Sequence, residues 1–529
     1  MKQWERFCSW YSWYENIGLG VDLSRVGFSQ EWWDCMQRPI QKAFDEMEAL
    51  EAGAIANPDE QRMVGHYWLR APERAPSQQI AQAIQQAIQD VQEFAQAVHS
   101  GKQQGAQGPF TQFVLIGIGG SALGPQFLTH ALSQPKRDKL RAFFVDNTDP
   151  DGIDRVLEQL DGSLGKTLCL IISKSGGTPE TRNGMIRFRQ AYEQAGLSFP
   201  RHAVAITQPG SKLDRLATEE KWLARFPIWE WVGGRTSATS AVGLLPLALL
   251  GVEIEQFLRG ARDCDQQTRL RDPRQNPAAQ LALMWYFLGD GRGAKDMVIL
   301  PYKDRLELFA RYLQQLVMES LGKKHARDGR IVYQGLTVYG NKGSTDQHAY
   351  IQQLRDGLRN FFVVFIEVLQ ETWHQPVEIE PGLTAGDYLH GFLLGTRQAL
   401  FEADRPSITV TIRDVSPYSL GVLIAVFERA VGLYASLIDI NAYHQPGVEA
   451  GKKAAAAVLE LQKQLVHFLQ THSSQAGFTV EEIAQGIGRP EERETIFKLC
   501  ERLAVNGRYG IQKGGGVGPL EARYRIPST

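Results

Sequence analysis

The chain has 529 residues and a formal net charge of −2; 43% of its residues are hydrophobic and 22% are charged. This balance is typical of a globular protein of several domains. The chain lacks the strongly basic composition of a protein that binds nucleic acid or an anionic membrane through its overall electrostatic field. We therefore expect no nucleic-acid partner and no membrane partner, and an anionic substrate would need a local binding site.

The five cysteines are odd in number, widely separated and without a CxxC pair. That spacing argues against a disulfide framework or a thiolate metal site, and it fits a reducing compartment. The N-terminus lacks the apolar run of a signal peptide, and the longest apolar stretches are too short to span a bilayer. These features predict a cytoplasmic protein.

Residues 1–100 are expected to form an N-terminal helical segment. The stretch "SQQIAQAIQQAIQDVQEFAQAVHS" repeats apolar residues at helical spacing and ends at Gly101, where a loop rich in Gly and Gln follows. The change of composition predicts a boundary near residue 100.

Two series of short apolar runs follow. The first comprises "FVLIGI", "RAFFVD", "LCLIIS" and "AVAIT", and the second comprises "MVILPY", "LTVYG", "FFVVFIEV" and "ITVTIRDV". Helical patterns lie between several of these runs, and continuous apolar strands alternating with helices indicate parallel sheets covered on both faces. The sequence therefore predicts an α/β fold with two domains, at 101–285 and 286–465.

The C-terminal extension, 466–529, differs from the rest. Two short helices and a hairpin are predicted, with Thr479 as a cap and Pro490 near the start of the second helix. This order suggests a small winged-helix-like α+β module. Its eight basic residues against seven acidic ones leave it nearly neutral, which favours a packing appendage over DNA binding.

A first glycine-rich loop follows the strand "FVLIGI". Gly117, Gly119, Gly120 and Ser121 stand between that strand and a helix. Backbone N–H groups in such a turn can bind an anion at a helix N-terminus. A dinucleotide site is an alternative, although Ala122 occupies the third glycine position of that fingerprint. A purely structural turn is the third interpretation, and this loop alone does not decide among them.

A second polar loop, "SKSGGT", follows the strand "LCLIIS". It supplies three hydroxyl groups and several N–H groups in six residues, and Pro179 then suits the first turn of a helix. A helix cap needs only one hydroxyl, so the composition favours binding of a phosphomonoester. Neither loop has the GxxxxGK[ST] spacing of a P-loop, which argues against a nucleoside triphosphate.

These two loops resemble those of sugar-isomerase (SIS) domains, and four further segments extend the likeness. They are "GGRTSATSAVGLLP", "QQLVMESLGKK", "GSTDQHAYIQQLRDG" and "YHQPGVEAGKK". In this order they resemble the glucose-6-phosphate isomerase family over roughly residues 60–460. The resemblance implies two SIS-type three-layer αβα domains. It also implies interconversion of glucose 6-phosphate and fructose 6-phosphate, a step of glycolysis and gluconeogenesis that needs no metal and no redox cofactor.

The resemblance assigns roles to individual residues. Glu319 matches the base that moves a proton between carbons 1 and 2, and Arg235 matches the cation that stabilises the enediolate. Thr236 departs from the usual aromatic residue at its position, which leaves the packing of Arg235 open. Gln315, four residues before Glu319, is expected to reach the same pocket.

Ring opening is implied for His348 and Lys452. In the family, the histidine reaches the active site of a partner subunit, so the resemblance implies a homodimer. The spacing of the family motif selects Lys452 rather than Lys453, and Gln445 would contact substrate from the same segment. Phosphate and substrate contacts carry over to a larger set: Gly120, Ser121, Ser173, Lys174, Ser175 and Thr178.

Two other functions remain as alternatives to the isomerase. A non-catalytic sugar-phosphate sensor would keep the hydroxyl-rich loops without needing Glu319, Arg235, His348 and Lys452, and all four are present. A nicotinamide-dependent oxidoreductase would use the first glycine loop but would leave the second loop unexplained. The isomerase accounts for all six segments.

Overall fold

The computed structural model describes residues 3–371, 374–472 and 474–527, without the side chains of 448–450 and 452. The chain divides into two compact units, Met1–His444 and Gln445–Thr529. The predicted domain boundaries near residues 100 and 285 lie inside the first unit and stay predictions.

The first unit contains helices along its whole length. They are α1 (Gln3–Trp10), α2 (Gln30–Cys35), α3 (Gln37–Glu51), α4 (Gln78–His99), α5 (Leu123–Leu132), α6 (Pro150–Gln159), α7 (Pro179–Gln194), α8 (Lys212–Glu219), α9 (Ala241–Leu250), α10 (Ile254–Thr268), α11 (Pro277–Leu288), α12 (Phe309–Leu313), α13 (Ile351–Asp356), α14 (Ala385–Glu402) and α15 (Pro417–Leu437).

Its strands alternate with these helices, as predicted for an α/β fold. They are β1 (Tyr11–Tyr14), β2 (Leu19–Asp22), β3 (Gln104–Gly105), β4 (Gly108–Pro109), β5 (Gln112–Ile116), β6 (Arg141–Val145), β7 (Thr167–Ile172), β8 (Ala203–Thr207), β9 (Ala224–Pro227), β10 (Asp296–Pro301), β11 (Lys323–His325), β12 (Ile331–Gln334), β13 (Val338–Tyr339), β14 (Phe361–Val368), β15 (Glu378–Glu380), β16 (Leu383–Thr384) and β17 (Ser407–Ile412).

The first sheet has the order β6-β5-β7-β8-β9, and each neighbouring pair is parallel. Every residue of β7 and β8 is buried, which explains why both read as continuous apolar runs. Because β5 and β7 are parallel neighbours, the two polar loops that follow them both begin at the carboxyl ends of the strands. The topology therefore places both loops at adjacent strand ends.

The second sheet has the order β1-β2-β17-β14-β10-β13. Its four C-terminal members are mutually parallel, whereas β2 is antiparallel to β17 and forms a hairpin with β1. The N-terminal segment was predicted to be mainly helical, and this strand pair is an addition. Helical periodicity could not reveal it, because such short runs become strands only by pairing with a distant sheet.

Helix α15 forms much of the core of this unit. It is long and apolar enough to cross a bilayer by length and composition, but 89% of its most apolar window is buried inside the unit. Its buried Glu428 and Arg429 form ion pairs within the unit, Glu428 with Arg70 and Arg429 with Asp265. The expectation that all apolar stretches are too short to span a bilayer is therefore wrong for the length of this helix, which is instead a buried core element.

The second unit is a small α+β module. Its elements are α16 (Pro446–Thr471), β18 (Phe478–Thr479), α17 (Val480–Gly486), α18 (Arg493–Val505), β19 (Gln512–Gly515) and β20 (Ala522–Arg525). The strands form an antiparallel sheet in the order β18-β20-β19. Helix, strand, two helices and two strands follow the order of a winged helix. Thr479 caps α17 through a reciprocal capping box with Glu482, as its position predicted.

Candidate active site

The first glycine-rich loop lies directly against the turn that carries Arg235. A Cβ atom on Gly120 would lie 2.1 Å from the carbonyl oxygen of Gly234, so no larger residue fits without displacing backbone. The Ser237 hydroxyl also donates a hydrogen bond to the Gly120 carbonyl, at 3.3 Å. Glycine at these positions therefore permits a close approach of two loops that are far apart in sequence.

The second polar loop is closed by its own hydroxyl groups. Ser173 and Thr178 are joined by a hydrogen bond of 3.0 Å between their Oγ atoms, and Ser175 is exposed. Thr178 stands at the N-cap of α7, but its side chain makes no capping hydrogen bond. The hydroxyl groups are thus grouped together at a helix N-terminus that the Thr178 side chain does not cap, an arrangement suited to an anion.

The side chain of Lys174 points away from solvent, towards the segment before Arg235. Its Nζ atom donates hydrogen bonds to the carbonyl oxygens of Glu230 and Val232, both at 2.8 Å. Burial lowers the pKa of Lys174 to about 8. The side chain therefore ties the second loop to the segment preceding Arg235.

Arg235 and Glu319 form the centre of the candidate site. Arg235 Nη1 lies 3.2 Å from Glu319 Oε2, and the two side chains are only 5% and 19% exposed. Arg235 Nη2 donates to the carbonyl oxygens of Ala442 and His444, at 2.9 and 3.0 Å. Burial lowers the pKa of Arg235 from its usual value, and the Glu319 charge opposes this effect.

The departure at Thr236 is accommodated by a local contact. Thr236 is buried, and its hydroxyl donates to the Gly233 carbonyl at 3.3 Å, closing the turn before Arg235. Arg235 is therefore held by the backbone of its own turn and by the carbonyls of Ala442 and His444.

Glu319 ends a π-helical segment, Gln314–Glu319, rather than an ordinary α-helical turn. Such wide turns are rare and occur frequently at functional sites. The segment also brings Gln315 towards the first loop, since a Cβ atom on Gly119 would lie 3.2 Å from Gln315 Nε2. Gln315 thus lies next to the first loop and Glu319 contacts Arg235, and their sharing of one substrate pocket stays a prediction. The π-helical turn that places them was not predicted.

A cavity joins these elements within the first unit. It is bordered by Lys174 of the second loop, by the Arg235 turn, and by three buried polar residues that the sequence analysis did not select: Asn57, His66 and Glu428. Burial raises the pKa of Glu428 to about 7 and lowers the pKa of His66 well below its usual value. Nothing in the local sequence of these residues distinguishes them, because only the fold brings them to the cavity.

Lys323 was also missed, although it lies inside the quoted segment "QQLVMESLGKK". Its side chain is buried, and its Nζ atom donates to the backbone carbonyl of Glu319 at 2.6 Å. Its spacing could have revealed it, because a lysine four residues after a candidate base can lie on the same face of a helix.

Four further predicted residues belong to other segments of the chain. Ser121 is half-buried beside Gly117, and His348 is exposed in a short 3₁₀ helix, Thr345–His348. Gln445 belongs to the second unit, and the side chain of Lys452 lies outside the described residues. Their roles stay predictions.

Comparison with known proteins decides the family. The phosphoglucose isomerase family model matches residues 34–383 and 393–478. The chain belongs to the phosphoglucose isomerase family. It is 57% identical over 509 residues to the glucose-6-phosphate isomerase of Geobacter sp. strain M21, with 96% of each chain covered. It is 53% identical to that of Desulfitobacterium hafniense strain Y51, covering 99% of this chain and 98% of the other.

A solved structure agrees with the sequence relatives. The crystal structure of a glucose-6-phosphate isomerase from Chlamydia trachomatis is similar with a TM-score of 0.79 and 29% identity, and the match covers 87% of this chain and 91% of that one. The predicted family, the parallel-rich α/β fold class and the isomerase activity are therefore confirmed. Membership of the phosphoglucose isomerase family leaves the sensor and the oxidoreductase without support.

Proposed function

We propose that Glu319 and Arg235 carry out the proton transfer by which this isomerase interconverts glucose 6-phosphate and fructose 6-phosphate. The supporting observation is their contact, 3.2 Å between Arg235 Nη1 and Glu319 Oε2, which is mostly buried and lies next to the cavity that Arg235 and Lys174 border. A carboxylate in that position can take a proton from one carbon and return it to the next. The adjacent guanidinium can stabilise the negative charge of the enediolate.

The sugar phosphate is proposed to bind with its phosphate at the two strand-end loops. Ser173, Ser175 and Thr178 offer hydroxyl donors at the N-terminus of α7, where backbone N–H groups also point outward. Gly120 and Ser121 border the same region through the contact of Gly120 with Gly234. Because hydroxyl and N–H donors carry no net charge, no buried positive charge is left unpaired in the loops when the phosphate leaves.

Ring opening is proposed for Lys452 and His348, with His348 donated to a partner subunit. His348 is exposed, and the neighbouring Gln347 donates to Thr396 of α14. Close by in sequence, the segment from residue 377 to the end of α14 carries seven exposed apolar side chains: Val377, Ile379, Leu383, Tyr388, Phe392, Leu394 and Phe401. Exposed apolar side chains of this number are typical of a subunit interface, and they support a homodimer in which His348 is near the boundary. The cytoplasmic location and the lack of a nucleic-acid partner stay predictions.

The Glu319→Gln variant tests the proposed base. We expect it to fold and to bind fructose 6-phosphate with KM within about threefold of wild type, and kcat to fall by about 10³-fold. A coupled assay that detects glucose 6-phosphate measures both constants, and Glu158→Gln, at an exposed site on α6, is the matched control. A kcat within tenfold of wild type would remove Glu319 as the base.

The same variant, mixed with His348→Ala under subunit exchange, tests the shared site. One site of each mixed dimer would have both groups intact, so an equal mixture should regain about a quarter of wild-type activity. No regain despite demonstrated exchange would contradict the contribution of His348 across the interface.

A further inference from the structure

Lys323 is a buried lysine that none of the roles above explains. It begins β11, directly after the helical segment that carries Glu319, and only 5% of its surface is exposed. Lysine is among the residues least often buried, because its charged form is costly to desolvate. A lysine in this position therefore calls for a specific contact that requires it.

The contact is with the backbone of Glu319. Lys323 Nζ donates to the Glu319 carbonyl oxygen at 2.6 Å. That carbonyl lies in the last turn of a helix, where carbonyl groups lack partners within the helix. The preceding residues form the π-helical turn Gln314–Glu319, whose geometry is rarer than that of an α-helix. The lysine thus holds the end of an uncommon turn at the residue proposed as the base.

The charges around Lys323 come from several elements. Arg235 and Glu319 face it from the candidate site, Asp59 from the segment after α3, and His444 from the end of the first unit. Burial, and then repulsion by Arg235, lower the pKa of Lys323 to about 7. Below neutral pH its ammonium group adds a second positive charge beside the Arg235–Glu319 pair.

We propose that Lys323 is a positioning residue, which holds the Glu319 carbonyl and thereby keeps the Glu319 carboxylate aligned with Arg235. The inference rests on the proposed role of Glu319 as the base. Lys323 need not touch substrate in this role. It acts through the position of Glu319 and through the charge that it places beside the carboxylate.

The variants Lys323→Met and Lys323→Arg test this role, with Lys324→Met at the adjacent exposed position as the control. Lys323→Met removes the donor and the charge but keeps an unbranched side chain. We expect kcat to fall by about 10- to 100-fold with KM within about threefold, because small displacements of a catalytic group cost rate rather than binding. Lys323→Arg keeps a donor and a charge, and we expect it to retain more activity than Lys323→Met.

A pH profile separates positioning from a general structural role. A nearby positive charge favours the ionised form of a carboxylate, so its removal should move the acid limb of the kcat profile of Lys323→Met to higher pH. The limb should stay in place in Lys323→Arg and Lys324→Met. A structural defect would lower the melting temperature and the yield of folded enzyme without moving this limb.

The outcomes separate the inference from the proposed function. If Lys323→Met keeps kcat within twofold of Lys324→Met, or loses kcat without a shift of the acid limb, the positioning role is overturned. If Lys323→Met does not fold, Lys323→Arg decides, and a kcat as low as that of Glu319→Gln would overturn the role. An active Glu319→Gln would instead defeat the proposed base itself, whatever Lys323 does.

Discussion

The two parts of the candidate site, the second polar loop and the Arg235–Glu319 pair, differ in charge and in burial. The strand-end loop Ser173–Thr178 presents neutral hydroxyl groups and leaves Ser175 exposed. The Arg235–Glu319 pair is charged and mostly buried, and it is surrounded by further buried ionisable groups. Charges interact strongly where water is excluded, whereas an exposed loop can bind and release a ligand at little cost. This difference supports the proposal that the loop recognises the substrate and that the pair carries out the chemistry.

That difference should appear in how substitutions divide between kcat and KM. Changes in the buried pair should chiefly lower kcat, because they remove interactions made in the transition state. Changes in the open loop should chiefly raise KM, because they remove binding that ground state and transition state share. Substitutions at Arg235 and at Ser175 with Thr178 test this division, and a substitution at Lys174 tests how its burial within the loop affects stability.

Among these three changes, the Arg235→Lys variant should have the largest effect. Arg235 uses one nitrogen towards Glu319 and another towards the carbonyls of Ala442 and His444, and a single ammonium group cannot span both. We expect kcat to fall by about 100-fold, the cost of losing one well-placed donor to the transition state. Steady-state kinetics measure it, with Arg225→Lys at a more exposed position as control. Near-normal kcat would show that charge alone suffices.

The double variant Ser175→Ala, Thr178→Ala should have an intermediate effect. It removes two hydroxyl groups of the open loop and leaves the buried pair unchanged. We expect KM for fructose 6-phosphate to rise by about tenfold, at roughly 1 kcal/mol or less for each neutral hydrogen bond, with kcat within about twofold. A fall in kcat with unchanged KM would break the division between recognition and chemistry.

The smallest effect concerns Lys174, which belongs to the loop but is buried. Its pKa is lowered to about 8 in the folded protein, mainly by burial, and the ordinary value is 10.5. Between these pH values the unfolded chain binds a proton that the folded chain has released, so this group makes stability rise with pH from about 8 to 10.5. Below pH 8 Lys174 is charged in both states, and desolvation of the charged group lowers the free energy of unfolding by its full amount.

Melting curves at several pH values measure this contribution. Lys174→Met should lack the rise, so its melting temperature relative to wild type should fall by a few degrees between pH 8 and pH 10.5. Lys212→Met, at an exposed position on α8, is the control and should follow wild type. Parallel curves for Lys174→Met and wild type would contradict a lowered pKa for Lys174.

Much of the fold follows from local sequence. Each predicted apolar run forms a strand, because continuous Val, Ile, Leu and Phe residues suit a sheet that is buried on both faces. Ser77 and Thr479 cap α4 and α17, and Pro179 starts α7, because caps depend on a few adjacent residues. The hairpin β1–β2 was not predicted, since its pairing with β17 is a contact across almost 400 residues of chain.

The candidate site divides in the same way. The resemblance to a known family selected Glu319, Arg235 and Gln315, because the motifs that carry it are short and local. The hydroxyl-rich composition of the second loop indicated a phosphate site by itself. The same motifs left out Asn57, His66, Glu428 and Lys323, although the first three border the cavity and Lys323 contacts Glu319. Their burial depends on neighbours that are distant in sequence, and so do the altered pKa values of His66, Glu428 and Lys323.

The sequence by itself determined the family, the parallel α/β architecture and the side chains available for catalysis, because periodicity and short motifs are local properties. The tertiary structure alone decided how those side chains meet. It turned Lys174 inward, pressed Gly120 against Gly234, ended a π-helical turn at Glu319 and buried Lys323 beneath it. Burial and close approach arise from packing between distant segments, and packing sets the electrostatics on which the proposed proton transfer depends.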